Sequence, residues 1–303
     1  MIRPTLERVW LCYLVTIALL AMLTSGGGAV GHAPGKLLAV HAVLLVAVLG
    51  VRAIAVRSPD AARVPRAVLA CAGLPIAFSA LCWLVPAVHP EPYEFLFARV
   101  DRALLGRDVA AFGEGMPALL VETLQLVYAG FYGFCVVAAL GAARGSGRAA
   151  FDRAMLLLVG GFLVSYALYL VVPTLGPKVV LAYANELQGG WLAGRVRAAI
   201  DASESNPWDC FPSGHTMLTL TALLILWRWN RRWFWVVLLP ALALVASTML
   251  LRYHWFVDVA AGAALVWPTA RFLDHLADRD GWPVAPAEPH RQTAAQPAAF
   301  RSA

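Results

Sequence analysis

"SGHTMLTLTALLILWRWNRRWFWVVLLPALALVASTMLL", residues 213–251, decides what kind of fold this chain adopts. It contains two apolar runs, 213–229 and 233–251, parted by a short block of arginine and tryptophan. An α-helix rises ~1.5 Å per residue, so about 20 mostly apolar residues, with a usual range of roughly 17–25, cross the hydrocarbon of a bilayer. Both runs have that length. Trp227, Trp229, Trp233 and Trp235 surround Arg228, Arg231 and Arg232, the composition of an aromatic belt at a membrane–water interface.

The rest of the chain repeats the pattern. Further apolar runs lie at 9–24, 37–56, 67–88, 117–140 and 154–172, and another follows at 255–272. Over all 303 residues 60% are hydrophobic and 14% charged, whereas soluble domains carry about 25% charged residues. The chain therefore reads as an all-α polytopic membrane bundle of eight helices. Residues 1–66 hold the two N-terminal membrane helices, 67–273 the other six, and 274–303 a tail rich in Ala, Pro and Gln that reads as disordered. The first run is short and follows Arg3 and Arg8, so a cleaved signal peptide is its competing reading. No internal repeat is found.

The net charge of +6 does not indicate nucleic acid, because the arginines fall in short clusters between apolar runs. They serve as topology signals. Of the 24 Lys and Arg residues, 16 lie on the side of Arg3, Arg63, Arg148 and Arg231. By the positive-inside rule that side is cytoplasmic. Both termini are then expected inside a bacterial-type cytoplasmic membrane. The two long loops fall outside. "HPEPYEFLFARVDRALLGRD", residues 89–108, spaces Phe95, Leu96, Val100, Leu104 and Leu105 as a helix lying along the membrane surface. "GGWLAGRVRAAI", residues 189–200, reads as a second one.

Polar residues that topology does not explain gather at the outer ends of three runs. "FPSGHT" opens the sixth, "LRYHWFVD" opens the eighth, and "VPTLGPK" closes the fifth. Pro212 near a first helical position and Ser213 as a cap leave backbone N–H groups at a helix start, where the dipole also favours an anion. His215 on the first turn can give a proton to a departing oxygen. His254 and Asp258 are four apart and share a face if that stretch is helical. The carboxylate then takes one ring N–H and frees the other nitrogen as a nucleophile. Together these residues suit covalent phosphoryl transfer through a phosphohistidine, with neither metal nor other cofactor required.

"PSGH" at 212–215 and His-x-x-x-Asp at 254–258 resemble the type 2 phosphatidic acid phosphatase superfamily. The resemblance implies that His254 is the nucleophile, Asp258 orients it, His215 protonates the leaving group, and Ser213 and Gly214 bind phosphate. It covers about residues 67–272, which implies a six-helix catalytic core at 67–273, with the two N-terminal helices as an addition and the tail at 274–303 cytoplasmic. The family's first motif, Lys followed after six residues by Arg-Pro, is incomplete: Asn185 and Glu186 stand at the later positions after Lys178. Where the third motif has Ser-Arg before its histidine, this chain has Ser247 and Thr248, with an arginine only at Arg252. Lys178 and Arg252 are the substitute cations for the phosphate, with a helix-end anchor as the alternative for Arg252. "VPTLGPK" and "STMLLRYHWFVDVAAG" are closest to the inositol phosphorylceramide synthase branch.

The resulting expectation is a lipid phosphatase or phosphotransferase whose substrate is a membrane lipid phosphate or pyrophosphate. A lipid alcohol is the acceptor if the reaction is headgroup transfer. A non-catalytic lipid-phosphate transporter or scaffold is the alternative from another class. His215, His254 and Asp258 could instead form a two-histidine, one-carboxylate metal site, which would leave the Pro-Ser-Gly anion mouth without a role. Cys12, Cys71, Cys82 and Cys135 lie in apolar runs, and Cys210 reads as small apolar filler, with a reactive thiol as the alternative. "GGGAVGHAPGK", residues 26–36, fails as a nucleotide loop because Val30 and Leu37 occupy its required Gly and Ser/Thr positions. Glu122 and Gln125 inside the fourth run read as interhelical hydrogen-bonding groups, with function as the competitor.

Overall fold

The computed structural model describes residues 4–24, 34–89, 91–183, 185–204 and 206–282. Their regular elements are helices, apart from an isolated bridge between Thr174 and Asp209. In chain order the principal helices are α1 (Thr5–Thr24), α2 (Pro34–Arg57), α3 (Arg63–Val88), α4 (Glu94–Leu105) and α5 (Ala118–Ala129). They are followed by α6 (Phe131–Val171), α7 (Ala193–Ser203), α8 (Gly214–Trp229), α9 (Arg231–Leu250) and α10 (Phe256–Arg279). Within α3 a π-turn at Leu69–Gly73 and a 3-10 turn at Leu81–Trp83 interrupt the α-helical segments.

The chain is an integral membrane protein, but the expected count of eight spans is overturned. Among the described residues six helices are long and apolar enough to cross a membrane: α1, α2, α3, α6, α9 and α10. Apolar run length overestimated the number because it does not show where a helix stops. The run at 117–140 is cut at Gly130, leaving α5 with 12 residues. Asn230 ends α8 at 16 residues, its side chain accepting from the Trp233 amide that begins α9. At a rise of ~1.5 Å per residue these helices reach only ~18 and ~24 Å, short of the ~30 Å hydrocarbon thickness. The remainder of the fourth run and the fifth run lie in the two arms of α6, parted at Ser146 and Gly147. Ser146 and Gly147 leave helical geometry, Gly147 at a φ of +78°. Past that break α6 doubles back, bringing Phe162 to ring-centre distances of 5.9 Å from Phe131 and 6.3 Å from Tyr132.

Nor are α1 and α2 appended to a separate six-helix core. Trp10, Ile17 and Val48 are buried in the same apolar cluster as Leu157 of α6, Leu226 of α8 and Leu273 of α10. Ion pairs at one end of the bundle reinforce this union. Arg66 of α3 grips Glu7 of α1 through two hydrogen bonds of 2.6 and 3.0 Å, both side chains buried. Asp280, just past α10, accepts from Thr5 and Arg8 of α1 at 2.6 Å. Arg153 of α6 reaches Asp274 and Asp278 of α10, and Arg228 of α8 reaches Asp274 at 2.8 Å. A buried ion pair strongly penalises loss of one partner, by ~3–5 kcal/mol, because the other charge is stranded. The N-terminal helix is thereby a structural member of the bundle.

Both loop helices expected from amphipathic spacing are present. On α4, Phe95, Leu96 and Leu104 are exposed, while Phe97, Ala98 and Asp101 are buried. The tail expected to be disordered falls mainly at 283–303, and the glycine-rich stretch mainly at 25–33, outside the described residues.

Candidate active site

At the other end of the bundle, α8 and α10 begin side by side. Ser213 is the N-cap of α8: its Oγ accepts the Thr216 amide at 3.2 Å. Its own amide donates to the main-chain carbonyl of Asp258 at 3.0 Å. The cap leaves the Gly214 and His215 amides without intrahelical acceptors. Glycine is required by close approach here, since a Cβ on Gly214 would come within 2.5 Å of Tyr169 Oη. Across the contact, a Cβ on Gly262 of α10 would come within 2.6 Å of the Ser213 carbonyl.

His254 lies in the turn between α9 and α10, where the Tyr253 and His254 amides both donate to the Thr248 carbonyl at 2.9 Å. Arg252 in this turn has a φ of +71°, a left-handed conformation that costs a non-glycine residue roughly 1–2 kcal/mol. The helical premise for the His254–Asp258 pair fails, because α10 begins only at Phe256. The residues meet through the helix cap instead. Asp258 turns back so that Oδ2 accepts the Trp255 amide at 2.9 Å, and this places the same oxygen 3.6 Å from His254 Nδ1. A second carboxylate completes the cap: Asp101 of α4 accepts the Phe256 and Val257 amides at 2.6 and 3.1 Å. Burial pushes the Asp101 carboxyl above its ordinary pKa, while those two amides pull it back.

The two histidines come together. His254 Nε2 lies 3.4 Å from His215 Nδ1. His254 is buried and His215 half-buried. The His215 ring is held by Phe131 at 4.4 Å and by Tyr128 at 4.6 Å, and Tyr128 stacks in turn on Tyr253 at 4.2 Å. Gln125 donates to Tyr253 Oη at 3.2 Å, so this residue of the fourth run supports the aromatic stack. Burial lowers the His254 pKa, against the pull of Asp209 and Glu204. Burial thus favours the neutral imidazole over the imidazolium.

Lys178 and Arg252 do not touch the histidine pair through any hydrogen bond or ion pair among the described residues. Lys178 Nζ pairs with Asp201 at 2.9 Å and with Glu204, and lies over the Tyr253 ring. Burial works against its ammonium, but the two acids outweigh it and hold the pKa above the ordinary value. Arg252 lies over the Tyr183 ring at 3.6 Å and donates to the Asn185 carbonyl at 3.0 Å. Both cations line a polar cleft of about 640 Å³ beyond Tyr253, with Glu186, Arg197, Asp201 and Glu204. Glu122 acts from a distance. Its carboxylate accepts the Trp191, Leu192 and Ala193 amides at 2.6–3.1 Å, pinning the start of α7, which carries Asp201.

Asp209 was not singled out from the sequence. It precedes the Pro-Ser-Gly-His stretch, and burial, then Glu204, pushes its pKa up to about 7, against the pull of His254 and Lys178. Cys210 is buried and donates to the Tyr253 carbonyl at 3.4 Å, and burial raises its thiol pKa well above the ordinary value. That is the behaviour of an inert structural thiol. One donor from each of Cys210, His254 and Asp258 lies within 4.8 Å of the others, so the closest metal-like grouping uses Cys210 in place of His215. The Asp258 oxygen nearest His254 is already engaged in capping α10, and the Cys210 thiol donates to the Tyr253 carbonyl, so both groups have structural partners.

A PA-phosphatase related-family protein of Dictyostelium discoideum is 30% identical over 108 residues, an alignment covering 34% of this chain and 20% of that protein. The chain thus spans about a fifth of that relative's length. No solved structure matches the chain. The sequence pattern of the PAP2 superfamily matches residues 97–272, which contain every site residue described above, and the chain belongs to that superfamily.

Proposed function

We propose that the protein removes or transfers the phosphate of a membrane lipid phosphate or pyrophosphate through a phosphohistidine on His254. The observation that carries this reading is the 3.4 Å approach of His254 Nε2 to His215 Nδ1, with an Asp258 oxygen 3.6 Å from the other nitrogen of His254. In the required tautomer His254 Nδ1–H points to Asp258 and Nε2 carries the free lone pair. With the anionic substrate bound His215 is the imidazolium, so giving up its Nδ1 proton leaves a neutral ring.

Substrate phosphate parts the two rings and is met by the Gly214 and His215 amides. Ser213 acts by capping and shaping that helix start. Nε2 of His254 attacks phosphorus. The N–P bond forms as the P–O bond to the lipid breaks, and the His215 proton goes to the departing oxygen. Water or an alcohol then attacks phosphorus, the N–P bond breaks, and His215 takes the acceptor's proton. Lys178 and Arg252 bind headgroup in the polar cleft. The excess of arginine at the opposite end of the bundle supports a site on the outer face with both termini cytoplasmic.

Transfer to a lipid alcohol, as in the inositol phosphorylceramide synthase type, is a second reading favoured by the cleft. Its 640 Å³ and mixed charges suit the hydroxyl-bearing headgroup of an acceptor. The deciding measurement is phosphate release from phosphatidic acid and from a polyprenyl pyrophosphate by purified protein, with and without a lipid alcohol and after exhaustive chelation. Release that survives chelation is expected. Product formed only with the alcohol present assigns the transferase reading. Binding of these lipids without turnover would leave a non-catalytic scaffold or transporter and end the enzymatic reading.

A further inference from the structure

A second cavity opens between α3 and the two arms of α6, with a volume of about 370 Å³. Ala67 and Cys71 line it from α3, Tyr132 and Val136 from one arm of α6, and Phe151 and Phe162 from the other. It has no charged side chain in its walls. Its size lies in the ~300–1,000 Å³ range of sites that hold small molecules. Two features of the backbone form it. The π-turn at Leu69–Gly73 interrupts the regular surface of α3, as such turns do at functional sites. The reversal of α6 sets Tyr132 against Phe162.

The cavity ends one packed ring away from the histidine site. Phe162 at its wall meets Phe131 at 5.9 Å, and Phe131 meets the His215 ring at 4.4 Å. From Tyr132 the groove follows α6 to Leu140, eight residues or ~12 Å along a helix axis. Tyr132, Val136 and Leu140 form an exposed stripe along it.

We infer that this groove holds one hydrocarbon chain of the lipid whose phosphate reaches His215 and His254, an inference that rests on the proposed function. Only hydrocarbon matches walls without charge that are flanked by membrane-crossing helices. Tyr132 at one end of the groove adjoins Phe131, which packs on the His215 ring at 4.4 Å, so that end of the groove lies at the level of His215. The groove thereby selects substrates by the length and bulk of a single acyl or prenyl chain.

Cys71, exposed on the wall, reports occupancy in the unaltered protein. An N-alkylmaleimide is reacted with detergent-purified protein, and modification of Cys71 is followed by peptide mass spectrometry. A non-hydrolysable long-chain alkyl phosphonate is expected to slow Cys71 labelling about tenfold, and a short-chain phosphonate to leave it unchanged. Equal labelling with both, or equal protection by both, overturns the inference, since a site for bulk bilayer lipid would ignore the head. Val136→Trp, at an exposed position, is expected to raise KM for a long-chain substrate about tenfold and to spare a short soluble phosphate ester. An unchanged long-chain KM overturns the inference too. Labelling needs no turnover, so protection in a protein that releases no phosphate counts against the proposed chemistry while upholding the groove.

Discussion

At the end of the bundle where α1 starts and α10 stops, Glu7 meets Arg66 in a two-pronged buried pair, and Asp274 and Asp280 each draw on more than one donor. Where α8 and α10 start, His254 Nδ1, Asp258 Oδ1, Thr216 Oγ1 and Arg252 Nε are buried with no hydrogen-bond partner among the described residues. Native proteins satisfy most buried polar groups, and those left short concentrate where a ligand completes them. The first end therefore supplies cohesion. The second leaves polar groups unmet around the histidine pair.

The largest expected effect tests that division directly. His254→Ala should lower turnover by about 10⁴-fold or more, and His215→Ala by about 10²–10⁴-fold, with little change in melting temperature. Turnover near the wild-type rate in His254→Ala would break the comparison, because the unsatisfied end would then have no chemical purpose. At the other end the pattern should invert. Arg66→Ala strands Glu7 and should cost about 3–5 kcal/mol in stability while leaving turnover per folded molecule unchanged. Denaturation in detergent measures the loss. Replacing both partners by apolar residues, Glu7→Leu with Arg66→Met, should recover most of it.

The smallest effect sharpens the description of the reactive end. Asp209 has its pKa raised to about 7, so it is neutral below neutrality and becomes an anion above it. An added negative charge there repels phosphate. The kcat/KM of the wild type should therefore fall severalfold as pH rises through about 7. Asp209→Asn should flatten that limb. An unaltered pH profile in the variant would show that another group sets it.

Much of this was legible in the sequence, and the gaps have physical causes. Apolar runs identified a helical membrane bundle, because burial in lipid demands composition over a whole segment. Their ends were not legible. Gly130 stops α5 and Asn230 stops α8 within or beside apolar surroundings, and only capping and packing show it. The separation of α1 and α2 from the core failed for a related reason: the Glu7–Arg66 and Arg8–Asp280 pairs join residues 59 and 272 positions apart. At the site, His215 and His254 stood out as histidines at apolar-run ends. Asp101, Tyr128 and Asp209 act through contacts that folding creates. Asp101, four residues after Phe97 on the buried face of α4, offered a local hint, as an acid on an apolar face. Glu122 was legible as unusual but not in its role, which depends on amides about 70 residues away.

The amide of Ser213 bonded to the carbonyl of Asp258 joins the two motifs main chain to main chain. Among substitutions only proline at 213 removes either partner, so the spacing of the two backbone segments that carry the imidazoles behaves as a fixed dimension of the scaffold. Surrounding residues can drift toward another leaving group or acceptor while that dimension is inherited unchanged.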